Sequence, residues 1–148
     1  MNFLISAGLA YAIFSKHDSI EAWGVEGYVV DLTATGFFMA AIVAAIYIVK
    51  HKISKQRWLL AAPENSVDVI ADHLPLSVTL ASLMIGIIGL VSAAVLLLIL
   101  VPMDAYTNFT AASYAVIKGF WAGALAALVV YMAVRCGLKI NNAQYQLH

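Results

Sequence analysis

Apolar residues in this chain fall in long uninterrupted blocks, not in the alternation of strands or the narrow stripes of surface helices. Leu32 to Val49 carries no charge, Leu74 to Met103 is uncharged throughout, and Ala105 to Val134 is broken only by Lys118. Each approaches or exceeds the roughly 20 apolar residues that cross a bilayer as a helix. A fourth block, Asn2 to Phe14, would reach only about 20 Å as a helix, against a hydrocarbon core of about 30 Å. To cross, it must recruit Ser15 to Ile20, snorkel Lys16, thin the bilayer locally, or enter only part-way. The pattern predicts an all-α integral membrane protein with a single transmembrane domain over residues 1–148. Its four helices, the first one short, form an up-down bundle at about 2–20, 29–49, 75–101 and 110–135, with a connecting loop at 50–73.

Local signals set the expected ends. Pro102 should stop the third helix, Pro75 suits its first turn, and Asn108 or Thr110 can cap the fourth. Trp23, Tyr28, Tyr106 and Tyr114 fall near one expected membrane surface and Tyr47, Trp58 and Tyr131 near the other, as aromatic belts do. Within the long loop, Ser66 to Leu74 has helical periodicity, with Val67, Ile70, Ala71 and Leu74 on one face and Asp68 and Asp72 opposite. This predicts a short amphipathic helix, capped by Asn65 or Ser66, lying on the membrane interface.

Composition narrows the class. Of 148 residues, 64% are hydrophobic and 11% charged, eight basic against eight acidic, with a mean hydropathy of +0.92. A soluble domain needs about twice that charge, disorder needs low hydrophobicity, and a nucleic-acid binder needs a basic excess. No base precedes the first apolar block, so it is expected to be a retained membrane segment, not a cleaved secretory signal. The single cysteine, Cys136, cannot form an intramolecular disulfide or a cysteine metal cluster, and reads as a packed or lipid-facing thiol.

Placing the charges reveals a strong asymmetry. With four crossings, Lys50, Lys52, Lys55, Arg57, Arg135 and Lys139 share one side, whereas the other has Lys16 and the acids Asp18, Glu21, Glu26, Asp31 and Asp104. By the positive-inside rule both termini should be cytoplasmic. The collar Lys50, Lys52, Lys55 and Arg57 reads first as a topology determinant, and second as a contact for anionic headgroups of the lipid bilayer.

Small residues recur at four-residue spacing: Gly36, Ala40 and Ala44; Ser82 and Gly86, with Gly89 and Ala93; Gly119, Gly123 and Ala127. Such stripes let membrane helices approach closely, within one chain or between copies.

Asp31 and Lys118 are the ionisable residues inside expected spans, at nearly one level by helix arithmetic from Lys50 and Arg135. They are expected to pair, assisted by Thr33, Thr35 or Ser113, because an unpaired intramembrane charge costs several kcal/mol. The two read as a packing ion pair or as independent residues snorkelling to the outer headgroups, and otherwise as a titratable or substrate-binding site. His17, His51, His73 and His148 lie at loops or ends, without the spacing for haem ligation between spans. No HExxH, CxxC, GxSxG, P-loop or GxGxxG is present, so neither a cofactor nor a metal is expected.

Asn2-Phe3 leading to Ala12-Ile13-Phe14, then Trp23-Gly24, then the run Asp31 to Phe38 resembles uncharacterised small four-helix proteins of the bacterial inner membrane. Lys118-Gly119-Phe120-Trp121 and the basic collar fit the same resemblance. It implies recurring Asp and Lys positions at Asp31 and Lys118, and it carries no activity. The leading expectation is a non-enzymatic accessory subunit, forming a homo-oligomer or joining a larger membrane complex. The alternative is a small transporter or channel component using Asp31 and Lys118; a lipid-modifying membrane enzyme comes third.

Overall fold

The computed structural model describes residues 2–15, 21–23, 27–53, 63–107 and 110–145. All regular structure among them is helical: α1 (Asn2–Phe14), α2 (Tyr28–Ala34), a π-helical segment (Thr35–Met39), α3 (Ala40–Lys52), α4 (Ser66–His73), α5 (Val78–Thr107) and α6 (Ala111–Tyr145). The second span, Tyr28–Lys52, is α2, the π segment and α3 run together. With α5 and α6 it makes three helices long and apolar enough to cross a membrane; α1 contributes a shorter apolar helix. The second span lies between α5 and α6, and α1 packs on α6.

Close backbone approach holds the second span to α5. A Cβ added at Gly89 would lie 2.1 Å from the Gly36 carbonyl oxygen, and one at Gly36 would lie 2.7 Å from that of Gly89. Neither position accepts a side chain unless the helices separate. Ala40 and Ala44 continue this buried seam, Gly86 abuts Ala41 and Phe37, and Ser82 is buried with its hydroxyl donating to the Thr79 carbonyl at 2.9 Å. In α6 Gly119 is buried, Gly123 half-buried and Ala127 exposed, so that stripe turns out of the interior along its length. A tight contact outside the expected span replaces it: a Cβ at Gly137 would lie 2.8 Å from His51 Cβ and 2.9 Å from the Ile48 oxygen.

Four expected boundaries shift. Phe14 ends α1; residues 16–20, which were to extend it, lie outside the described residues. Pro102 sits inside α5, which continues to Thr107, since one proline removes a single ladder bond and membrane helices tolerate that loss. Pro75 precedes α5 and instead terminates α4: it drives Leu74 to φ −64°, ψ 144°, the extended region imposed before proline. The largest change is α6, which runs ten residues past Arg135 to Tyr145. Its 35 residues measure about 52 Å, well beyond a hydrocarbon core.

Side chains and folded-back backbone satisfy the helix ends. The amides of Tyr28 and Val29 donate to the Glu21 and Ala22 carbonyls, both at 3.2 Å. Thr110 and Ser113 exchange amide-to-hydroxyl bonds at the start of α6, a capping box with serine in the usual glutamate place. Asn65 caps α4 by accepting from the Asp68 amide at 2.9 Å, and the Asp68 carboxylate reaches back to the Glu64 amide at 3.0 Å.

The orientation of α4 differs from the expected one. Ala71 and Leu74 are buried as the periodicity requires, but Asp68 is buried with them, whereas Val69 and Ile70 are exposed. Polar partners on α6 draw Asp68 inward beside Ala71 and Leu74, and Val69 and Ile70 are left facing out.

Candidate functional site

Two of the three tyrosines of α6 are followed four residues later by a base: Tyr114 by Lys118, and Tyr131 by Arg135. Four residues bring two side chains onto one helix face. The pairs are 17 residues apart, hence about 25 Å along the axis and about 100° apart around it. They therefore address different neighbours, and each takes hold of an aspartate.

The first pair clasps Asp31 of α2. Lys118 Nζ donates to Asp31 Oδ1 at 2.7 Å and Oδ2 at 2.6 Å, and the Tyr114 hydroxyl donates to Oδ2 at 2.5 Å. Lys118 is 4% exposed and Tyr114 1%, while the Asp31 side chain is 21% exposed, so the charges meet at the edge of the bundle interior. Aromatic rings from two other elements close the site, Phe14 edge-on to Tyr114 at 5.2 Å and Tyr28 at 5.8 Å. Tyr28 and Tyr114, expected in an outer aromatic belt, are core residues instead, because the Tyr114 hydroxyl has a buried partner.

The assisting hydroxyls are also different from those expected. Thr33 donates to the Val29 carbonyl at 2.7 Å and Ser113 belongs to the α6 cap, so neither joins the pair. Thr35 lies in the π segment, against α1. Tyr114 takes their place; its position four residues before Lys118 is the signal in the sequence that points to it.

The second pair fastens α4. The Tyr131 hydroxyl donates to Asp68 Oδ1 at 2.5 Å, and Arg135 Nη1 lies 3.3 Å from the same oxygen. Arg135 also grips Asp72 bidentately, Nε to Oδ1 and Nη2 to Oδ2, both at 2.8 Å. The Tyr131 hydrogen bond, foremost, holds the Asp68 carboxyl below its usual range, and the Arg135 hydrogen bond does the same for Asp72. Lys139 Nζ caps the end of α4 through the Asp72 and Leu74 carbonyls. Asn141 does the same for α3, its Nδ2 donating to the His51 and Lys52 carbonyls at 3.2 and 2.9 Å. These four α6 residues lie in or next to the extension that the sequence places outside the span.

Of the basic collar, Lys50 lies with Nζ 5.8 Å from the Tyr47 ring centroid and Lys52 is half-buried near the end of α3. Lys55 and Arg57 lie outside the described residues, as does Trp58; of the Tyr106 side chain nothing is described. Cys136 is buried, with its thiol 3.9 Å from the Pro75 carbonyl.

Two clefts open elsewhere. One, about 360 Å³, lies between α4 and α5; the other, about 320 Å³, lies between α1 and the second span. Asp31, Tyr114 and Lys118 line neither. The two clusters thus present satisfied, inward-directed charges that cross-link elements. No protein-family model, curated protein or solved structure matches the chain.

Proposed function

We propose that this protein is a non-enzymatic subunit of the bacterial inner membrane, which assembles with copies of itself or with a larger membrane complex. In this reading α1 is a short fourth crossing of an up-down bundle, both termini are cytoplasmic, and α4 rests at the cytoplasmic interface. The basic residues at the α3–α4 loop and the end of α6 support that orientation, and the resemblance of the Asp31 to Phe38 run supports the membrane.

The observation that carries the proposal is the closure of Asp31 by Lys118 and Tyr114. An intramembrane charge placed for transport would face a cavity, whereas these partners consume it in helix-to-helix contact. The bundle's outside is meanwhile aliphatic, with rows such as Phe38, Ile42 and Ile46 on the second span and Leu80, Leu83, Ile87 and Val91 on α5. Such rows suit lipid and flat membrane partners alike.

Native mass spectrometry after extraction in a mild detergent tests the assembly. A defined oligomer or a stoichiometric partner is expected; a bare monomer under every mild extraction overturns the proposal. Charge-selective flux in proteoliposomes, abolished by Asp31→Asn, would favour the transport reading instead.

A further inference from the structure

Between α1 and the second span lies a cleft of about 320 Å³ lined by Ile5, Ser6, Leu9, Thr35, Met39 and Val43. Thr35, Met39 and Val43 succeed one another at four-residue spacing and form one wall; α1 supplies the other. On an adjacent side of the same helix, Gly36 and Ala40 are pressed against α5, so the π turn is held in place by backbone contact. π turns inside α-helices are frequent at functional sites.

The hydroxyls of this cleft set it apart. Thr33 donates to a carbonyl one turn back, Ser82 does likewise, and Ser92 accepts from Trp121 Nε1 at 3.0 Å. Ser6 and Thr35 make no side-chain hydrogen bond among the described residues, although both are half-buried in an apolar bundle. Neither hydroxyl oxygen is fully enclosed by protein, and in a bilayer an acceptor from outside would remove the cost of leaving it unbonded. Two donors facing an otherwise aliphatic and thioether-lined space suit one chemistry: an oxygen acceptor on an apolar body. Ile5 and Leu9, both exposed, leave the way open from the bilayer.

The geometry points to a binding site for a bilayer-soluble ketone or quinone, its carbonyl accepting from Ser6 and Thr35 and its apolar body lying against Met39 and Val43. This goes beyond assembly and does not depend on it.

Benzophenone, an apolar ketone that inserts into nearby C–H bonds on irradiation, tests the site on the full chain in phosphatidylcholine nanodiscs. Met103, exposed and lining neither cleft, serves as internal control. Labelling at Met39 is expected to saturate with probe and to fall when duroquinone is added, while Met103 labels in proportion to probe. Diphenylmethane, of the same shape without the oxygen, should compete at least about tenfold less well than benzophenone competes with itself. Replacing Ser6→Ala with Thr35→Val keeps side-chain size and should raise the half-saturating probe concentration about tenfold. Unsaturable Met39 labelling, equal competition by diphenylmethane, or an unchanged half-saturation in the folded double variant would each overturn the site. Should that variant fail to fold, the two competitors on the unaltered protein still decide.

Discussion

At one end of α6, Tyr114 and Lys118 hold Asp31 of a neighbouring span; at the other, Tyr131 and Arg135 hold Asp68 of a short helix. The local grammar is the same, and the consequences differ. Asp31 joins two long apolar helices, so a broken pair leaves a charge where lipid gives it no partner. The α4 cluster has two acids and two bases, one of them a bidentate arginine, but its Asp72 side chain is 31% exposed and water can substitute. Charge of one kind therefore locks the bundle at one end and docks a removable element at the other.

The largest effect should come from Lys118→Met, which strands Asp31. About 3–5 kcal/mol of stability should be lost in reversible unfolding in detergent. Adding Asp31→Asn to that variant should recover most of the loss. Additive losses in that double-mutant cycle would mean the residues are uncoupled, and the comparison would collapse. Tyr114→Phe removes one hydrogen bond to the same carboxylate and should cost about 1 kcal/mol in the same assay.

A smaller global loss is expected from Arg135→Met, concentrated in α4. Amide exchange over Ser66–His73 should accelerate while α5 and the apolar length of α6 keep their protection. If the whole bundle loosens instead, the second cluster is a lock like the first. Acid probes the same contrast. Asp68 and Asp72 have carboxyls held below the ordinary 3.8, so their contribution is complete above about pH 4 and fades as pH falls through the lowered values. The protection of α4, measured as exchange relative to the intrinsic rate at each pH, should thus be flat from neutral pH to about 4 and fall below it. The smallest change should be with salt: 1 M sodium chloride, with a screening length of about 3 Å, should loosen α4 slightly and leave the Asp31–Lys118 bond untouched.

Much of the fold was legible because membrane spans are written in composition and length. The uncharged runs around Ala40 and Ile85, and the isolation of Asp31 and Lys118 within apolar blocks, point to three spans and one charged level without any tertiary information. Gly36 announces close packing, yet its particular partner, Gly89, follows only from how two helices cross. Boundaries were harder. Arg135 and Lys139 look like the end of a span because bases usually mark the membrane surface, but in the fold they are mid-helix residues with carboxylates and carbonyls to hold. The face of α4 was misread for a related reason. Hydrophobic periodicity assumes that acids face water, and Asp68 faces Tyr131 and Arg135.

The sequence by itself determined the helical class, the three runs long and apolar enough to cross a membrane and the two residues whose charge has to be answered inside them. Those follow from transfer free energies, which depend on residue type and run length alone. Tertiary structure decided who answers: Tyr114 beside Lys118, α4 turned acid side in, and two hydroxyls left facing a cleft beside a π turn. Those depend on the rotation and crossing of packed helices, which residue type and run length leave open.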